Sequence, residues 1–437
     1  MPISSRHAAQ TLSSLLTGQD PRAVVARLAA RDEPVPPTVR GADDCSPQAV
    51  AARLALVPHA SAIAAETLAE PDLGRYVRNI EYAIGTVRLP VGLAGPLRVN
   101  GASAQGDFYV PLATSEAALV ASYHRGATVV SQSGGCTAVV INERMTRAPG
   151  FVFDTLVDAG SFVQWVLEHK LRLATIAEST SRHLRFRDIR VSIEGNHVYL
   201  LLDVTTGDAA GQNMVTIAAQ AVAEFAVANA PVKPVRWYVE ANHSGDKKAS
   251  AQSFLTGRGR SVVAEALVPG DVLARRLRVS AAQMEDYWHI SSVGGVLSGT
   301  LGVQGHYANG LAALYLATGQ DVACVSESAV GVTRLEAQRD ALYAAVTLPN
   351  LVVGTVGGGT GLPSQRACLE ILGLAGEGHA NALAEVAAAL ALAGELSIVA
   401  AIIGNEFTSA HRRLARHRAV TMPPAAPDAP PAPPAAG

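Results

Sequence analysis

The chain has 437 residues, of which 16% are charged and 49% hydrophobic, and its formal net charge is −2. That length allows about two or three domains around a sizeable core, and the near-neutral balance leaves no basic footprint for nucleic acid. Low charge in a chain rich in alanine, glycine and valine fits a helix-packed protein with extensive subunit contacts.

From the N-terminus, residues 1–75 alternate helical patterns with breaks such as Asp20-Pro21 and Pro34-Val-Pro-Pro37, and predict a small helical region. The segment 149–241 carries a different pattern. A strand over Phe151–Val157 leads to a helix around Phe162–His169. Two β-rich runs, Ile189–Ile193 and Val198–Val204, flank the hairpin signal Glu194-Gly195-Asn196-His197. A second helix follows, with Met214, Ile217, Ala218, Ala221, Val222 and Phe225 at helical spacing on one face. A last strand spans Val235–Val239. The order βαββαβ is that of a ferredoxin-like module, here inserted into a helix-rich large domain made of 76–148 and 242–405, so the fold class is α+β. The large domain reads as helix patterns with glycine-rich joints, ending in an Ala-rich helix from about residue 381. Residues 406–420 are polar and basic and predict a mobile segment, and the Pro/Ala tail 421–437 predicts disorder.

The four cysteines, at 45, 136, 324 and 368, show no paired metal-ligand spacing, and no signal pattern opens the chain, so a reducing, cytoplasmic setting without a metal is expected. The most apolar stretch, Ala382–Ile403, is interrupted by Glu385 and Glu395, so no membrane span is expected.

Only four lysines occur: Lys170, Lys233 and the adjacent pair Lys247-Lys248. A pair kept where arginine serves elsewhere is either a solvated turn or a source of a compact ammonium for a developing oxyanion. The run Gly354-Thr-Val-Gly-Gly-Gly-Thr360 either exposes backbone N–H groups to a phosphate or flat cofactor or forms a tight turn. It lacks the third glycine of the dinucleotide fingerprint and shows no strand–glycine loop–helix unit with a later acid. Gly207-Asp-Ala-Ala-Gly-Gln-Asn213 precedes a helix and is either an anion site or an ordinary cap. Ser181-Arg182 suits a phosphate monoester. Glu116 and Asp321 are isolated acids among apolar residues, either caps or parts of a proton-transfer network with a lysine, and His411 alone reads as a surface residue.

Taken together, Ile84-Gly85, Leu89-Pro-Val-Gly-Leu-Ala-Gly-Pro96, Met145-Thr-Arg147, Asp208–Asn213, Asp246-Lys-Lys248, Gly319-Gln-Asp321, the glycine run and Ala393-Gly-Glu-Leu-Ser397 resemble the soluble catalytic portion of class I 3-hydroxy-3-methylglutaryl-CoA (HMG-CoA) reductases over residues 78–413. The resemblance implies a homodimer or dimer-based tetramer with the active site between subunits, NADPH on the ferredoxin-like module and no metal. It implies two NADPH-dependent reductions, from thioester through a thiohemiacetal and aldehyde to the alcohol. In that scheme Lys247 stabilises the oxyanion, Glu116 donates a proton, Asp321 tunes the pair and His411 protonates the departing thiolate. Cofactor roles fall to Ser181, Arg182, Asp208, Gly211, Asn213, Gly357 and Gly358, and contacts with the acyl-CoA substrate to Arg125, Arg147, Asn242, Asp246, Lys248 and Asn309.

Three positions depart from the family pattern. Glu240 stands where the family carries a serine, His289 or Ile290 where it carries a second substrate lysine, and Tyr82 where it carries an asparagine. These bear on the acyl group and motivate two alternatives, a paralogue reducing a different acyl-thioester and a silent binding protein.

Overall fold

A computed structural model describes residues 17–29, 31–38 and 88–404, together with residues 10, 13, 55, 56 and 79. Most of the expected N-terminal helical region, Tyr82, His411 and the tail therefore lie outside the described residues. In the N-terminal part, the helix Pro21–Leu28 is capped by the Asp20 side chain, which accepts from the Arg22 N–H. The following strip is fastened by the buried Arg98 guanidinium, which donates to the carbonyls of Arg31, Glu33 and Pro34 and ion-pairs with Asp107.

Among the described residues, the frame is an 11-stranded mixed sheet. Its strands are β1 (Val91–Gly101), β2 (Gln105–Ala113), β3 (Cys136–Arg147), β4 (Gly150–Val152), β5 (Arg185–Glu194), β6 (His197–Thr205), β7 (Arg236–Tyr238), β8 (Gly259–Pro269), β9 (Gly302–Val303), β10 (Gly331–Gln338) and β11 (Ala341–Leu351). The spine β3-β8-β11-β10 is antiparallel throughout, and β1 pairs antiparallel with β2 and parallel with β3. These strands correct the reading of the large domain as helix patterns alone. In β11 the residues Leu342, Ala344, Val346 and Leu348 are buried while their neighbours alternate outward, the period-2 pattern of a half-covered strand. Alanine in both registers hides that alternation from a hydrophobicity count.

Beyond Arg147 the chain builds a second antiparallel set. β4 pairs with β7 on one side and β6 on the other, and β5 lies outside β6. Numbered within the segment, the spatial order is 4-1-3-2. The first strand is shorter than expected, because Thr155 turns the chain into the helix Leu156–Glu168 by accepting from the Asp158 N–H. Leu156 and Val157 are thus helical and exposed. A further helix, Lys170–Ser179, was not anticipated. On the helix Gln212–Asn229 the buried stripe is Val215, Ala218, Ala219, Val222, Ala223 and Ala226, while Ile217 is 60% exposed. The expected face is therefore rotated toward the small residues, which let the helix sit close to the sheet.

The core centres on the helix Ala380–Ile403, buried along almost its whole length. Length and composition alone would let this helix cross a bilayer, yet 78% of its most apolar window is buried inside the protein. It crosses the helix Leu119–Gln132 at glycines: a Cβ on Gly126 would lie 1.8 Å from the Ala393 carbonyl oxygen, and one on Gly394 2.3 Å from the Tyr123 ring. Glu385 and Glu395 are both buried. Glu385 accepts from the N–H groups of Ser103 (2.8 Å) and Ala104 (2.7 Å) in the β1–β2 turn. Glu395 accepts from the N–H groups of Gly305 (2.7 Å) and His306 (2.9 Å) and from the Thr333 hydroxyl (2.8 Å).

Burial pushes the Glu385 carboxyl up from 4.5 to about 7 despite its N–H donors. Between those values the unfolded chain has released a proton that the folded chain retains, so this group's contribution to stability falls as pH rises through the window. The effect is on the order of 3 kcal/mol at most. Glu385→Gln keeps an acceptor for the turn and should flatten that part of the profile. Urea midpoints of both proteins at about pH 5 and about pH 7.5 check it, and equal pH dependence in the two would contradict it.

Candidate functional site

The Lys247 ammonium lies 2.9 Å from Asp321 Oδ2, and both side chains are partly exposed, 41% and 38%. Asp321 follows the helix Tyr307–Thr318 and its Gly319 cap, and its other oxygen accepts from the Ala323 N–H (3.0 Å), capping a short 3-10 turn. Gln212 Nε2 donates to Asp321 Oδ2 at 3.1 Å and also lies 3.1 Å from the buried Cys324 Sγ. The hydrogen bond with Asp321 raises the Lys247 pKa. Burial pushes the Asp321 carboxyl up, but the hydrogen bonds from Lys247 and Gln212 outweigh it and hold the group below the ordinary carboxylate value.

Lys247 has φ +56°, in the left-handed region that side chains with a Cβ rarely adopt. The conformation is fixed from below. The Lys247 N–H donates to Glu327 Oε1 at 3.0 Å, and the fully buried Glu327 pairs with the Arg258 guanidinium. Arg258 NH2 reaches Asp246 Oδ1 at 2.9 Å, without hydrogen-bond alignment. Burial raises the Glu327 pKa although Arg258 opposes it. Breaking a buried pair of this kind by removing one member typically costs about 3–5 kcal/mol. Glu327 and Arg258 escaped the sequence reading because nothing local distinguishes an acid in Val325–Ser328 or an arginine in the bend before a strand.

Around this pair the structure gathers motifs far apart in sequence. The glycine run abuts the 207–213 segment: the Thr355 N–H donates to the Asp208 carbonyl (2.8 Å), Ala209 and Val356 form an isolated parallel bridge, and a Cβ on Gly354 would lie 2.4 Å from the Ala210 nitrogen. Gln320 clamps Gly354 through both backbone groups, at 2.8 and 2.9 Å. Gly319 and Gly359 touch backbone to backbone. Arg260, also missed from sequence, is buried and donates to the carbonyls of Gly207 (2.6 Å) and Val353 (2.8 Å) and to Asn381 Oδ1 (2.7 Å). The Asp208 carboxylate accepts from the N–H groups of Gly378 (2.8 Å) and Ala380 (3.1 Å), capping the core helix from another segment. The glycine run does lie between a strand, β11, and a helix, Pro363–Ile371, contrary to expectation. Because β11 is antiparallel to both neighbours, this is not a parallel dinucleotide-binding crossover.

The donor set suits a phosphorylated cofactor. Gly211, at φ +84°, opens the helix Gln212–Asn229 without any side-chain cap, and a Cβ there would lie 2.3 Å from Thr206 Oγ1. The first turn of an uncapped helix leaves N–H donors free for an anion. Exposed Gly357 and Gly358, at φ +76° and +55°, have open space where a Cβ would stand. Asn213 is exposed at the start of the same helix. Ser181 and Arg182 end the helix Lys170–Ser179 region, with Arg182 exposed and its Nε–H donating to His183 Nε2 at 2.8 Å.

The remaining positions separate into two places. Arg147 NH1 donates to Asp246 Oδ2 (2.9 Å) and Glu240 Oε2 (3.3 Å), Lys248 Nζ donates to the Asp246 carbonyl (2.7 Å), and the exposed Asn242 follows Glu240 with φ +64°. Glu116 is elsewhere. Its carboxylate accepts from Asn309 Nδ2 at 3.0 and 3.2 Å, at the start of the helix whose far end carries Asp321. Roughly 14 Å of helix rise separates Asn309 from Thr318. Glu116 and Asp321 thus stand at opposite ends of the helix Tyr307–Thr318. Arg125 is engaged by the core helix, donating to Ser397 Oγ (3.0 Å) and the Ser397 carbonyl (2.7 Å). His289 and Ile290 are exposed on the helix Ala281–Ser298.

Asp321→Asn should lower the Lys247 pKa toward its ordinary value, because the charge that favours the ammonium is removed. The ion pair stabilises the fold between the two shifted titrations, and is lost below the Asp321 one and above the Lys247 one. With four lysines in the chain, carbon-detected NMR of the Lys side chains resolves this directly. An unchanged Lys247 titration would contradict the pairing.

A protein-family model described as hydroxymethylglutaryl-coenzyme A reductase matches residues 49–416. The 3-hydroxy-3-methylglutaryl-coenzyme A reductase of Methanocaldococcus jannaschii is 40% identical over 346 residues, covering 78% of this chain and 85% of the relative. The protein of the same name from Aeropyrum pernix is 43% identical over 348 residues, covering 78% and 82%. Among solved structures, the class II 3-hydroxy-3-methylglutaryl-CoA reductase of Streptococcus pneumoniae, bound to NADPH in open conformations, superimposes with a TM-score of 0.67 at 20% identity, over 84% of this chain and 100% of that one. That likeness is one of fold, a mixed α+β architecture. A family match over most of the chain and relatives at about 40% identity place this protein in the hydroxymethylglutaryl-coenzyme A reductase family.

Proposed function

We propose that the protein reduces HMG-CoA to mevalonate and CoA with two equivalents of NADPH, in the cytoplasm, as a homodimer or dimer-based tetramer. The observation that carries this reading is the Lys247–Asp321 ion pair, hydrogen-bonded to Gln212, the first residue of an uncapped helix N-terminus lined by glycine. The reading further takes 149–241 as an inserted ferredoxin-like module for NADP(H), between the two parts of a large domain, 76–148 and 242–405. The 4-1-3-2 antiparallel strand order supports it.

In this scheme Asp208, Gly211, Asn213, Gly357 and Gly358 hold the pyrophosphate and adjoining groups, and Ser181 with Arg182 takes the 2′-phosphate. The reduced cofactor, when bound, supplies the hydride for each reduction. Lys247 holds the oxygen that gains charge as the carbonyl is reduced. An ammonium has three donors, and Asp321 takes one, so the others remain for substrate. Asp321 keeps the ammonium charged and aimed. The partner's Glu116 donates the proton to the product oxygen, and His411 protonates the departing thiolate. Asp246, Lys248, Arg147 and Asn242 line the acyl end, where the partner's Asn309 arrives beside the partner's Glu116, and Arg125 the CoA end.

Two observations support a site completed by a second copy. The first is that Glu116 is held at the start of the helix Tyr307–Thr318 while Asp321, the partner of Lys247, follows its far end. The second is the helix Ala281–Ser298, of which only Met284 is fully buried. Its first half docks through Trp288, whose Nε1–H donates to the Thr333 carbonyl. Its second half exposes Ile290, Val293, Val296 and Leu297 at 61–83%. Positions 290, 293 and 297 share one helical face, and such a stripe fits burial against another subunit.

Purified protein should consume close to two NADPH per CoA thiol released from HMG-CoA, and absence of turnover would defeat the reading. Lys247→Met should lower kcat by at least about 10²–10³-fold, the scale for removing an oxyanion donor, with the dimer intact. Mixing Lys247→Met with Glu116→Gln protein under subunit exchange should restore about a quarter of wild-type activity, since half the dimers then carry one complete site. No recovery on mixing would place Glu116 and Lys247 in the same chain's site.

A further inference from the structure

Glu240 is placed where a substrate's acyl end would meet the Lys247–Lys248 turn, and its contacts are unusually complete for a half-buried acid. Its Oε2 accepts from Arg147 NH1 at 3.3 Å and from the Ala148 N–H at 3.2 Å, and its Oε1 accepts from the Asn242 N–H at 2.7 Å. Three anchors, two of them backbone, hold the carboxylate in place. Arg147 is only 7% exposed. The NH1 that meets Glu240 also donates to Asp246 at 2.9 Å. Its Nε is buried and, among the described residues, has no hydrogen-bond partner.

The sharing of Arg147 is decisive. Its guanidinium faces two carboxylates, Glu240 and Asp246, Arg258 faces Asp246 and Glu327, and the Lys248 ammonium beside them donates to the Asp246 carbonyl. A carboxylate arriving here finds the positive charge of Arg147 already shared between two acids, and a fixed negative oxygen close by. Like charges brought together inside a site disfavour binding, which is how a protein rejects one ligand class. A neutral oxygen suffers no such repulsion.

We infer that Glu240 is a specificity-determining residue: by ion-pairing with Arg147 it turns the acyl pocket away from a free carboxylate and toward an uncharged hydrogen-bond acceptor. The inference rests on the reductase reading above and concerns which acyl group that site takes best. No bond is made or broken by Glu240 in this role.

The test is steady-state kinetics of the full chain with NADPH and two thioesters, HMG-CoA and its analogue in which the free carboxylate is a methyl ester. Glu240→Gln, which keeps the size of the side chain, and Glu240→Ala are compared with the wild type. Both should lower KM for HMG-CoA by about tenfold, with a much smaller change in kcat and KM for the ester within about twofold of wild type. A wild type that turns over the ester in preference to HMG-CoA supports the inference while correcting the proposed substrate. Equal shifts of KM for both thioesters, or no shift in either variant, overturn the inference while leaving the reductase reading intact. No NADPH consumption with either thioester by any of the three proteins overturns both. Should Glu240→Ala lose its fold on losing the Ala148 and Asn242 anchors, Glu240→Gln alone decides.

Discussion

The buried guanidinium of Arg260 is the joint on which the site depends. From β8 it donates to Gly207, Val353 and Asn381, one residue in each of the three segments that meet beneath the glycine loop. Burial lowers its pKa while the Glu143 and Asp208 charges oppose that. Asp208 completes the joint by capping the core helix at Ala380 while its own carbonyl accepts from Thr355. The start of that helix, the glycine loop and the end of the hairpin are thereby fixed to one another by charge-assisted hydrogen bonds, which are stronger than neutral ones. The core helix is then tied twice more along its length. Glu385 holds the β1–β2 turn and Glu395 holds the backbone of 305–306, so a helix that reads as uniformly apolar has a defined rotation and depth.

Close backbone approach is the second constraint, and glycine makes it possible. Gly354 against Ala210, Gly319 against Gly359 and Gly126 against Ala393 all leave less room than a methyl group needs. At the site this compactness sets a strand end, a helix start and the Asp321 turn within hydrogen-bonding distance. Lys247 bears the complementary strain: its left-handed backbone persists because the Glu327 carboxyl receives its N–H. Strain of that kind survives where the surroundings over-determine it.

How much of this was legible in the sequence depended on whether a feature was local. The hairpin at Glu194–His197 was legible because its glycine and asparagine interrupt two β-rich runs, and β5 and β6 meet there. The pairing of Lys247 with Asp321 followed from resemblance, and no spacing would have given it, since 74 positions separate them in the chain. The strands of the large part were missed where alanine serves both as strand interior and as helix former, as in β8 and β11. Glu327, Arg258 and Arg260 stayed hidden because their partners come from distant segments. The Glu240 substitution was visible as a residue type, but its consequence required seeing Arg147 on its carboxylate.

The scarcity of lysine now has a physical account. Buried cations here must satisfy several fixed acceptors at once, and the planar guanidinium, with five donors and weaker hydration, does this with less desolvation than an ammonium. Arg98, Arg258 and Arg260, each no more than 3% exposed, occupy such places, where they bridge carboxylates, carbonyls and an amide. Lys170 and Lys233 lie at the surface, one beside Asp188 and one on a helix-end carbonyl. Lys247 differs from both groups. It is partly exposed, backed by a buried acid through its own N–H, and paired with a single carboxylate whose other contacts are already made. A guanidinium at that point would tend to engage Asp321 through two donors and present a diffuse charge to anything else. An ammonium concentrates its charge and keeps donors turned outward. The same logic separates Lys247 from Arg147, which lies one residue's contact away through Asp246 and is consumed by two acids. The fold thus spends rigid, multiply bonded cations on its framework and leaves the Lys247 ammonium partly exposed beside a single carboxylate.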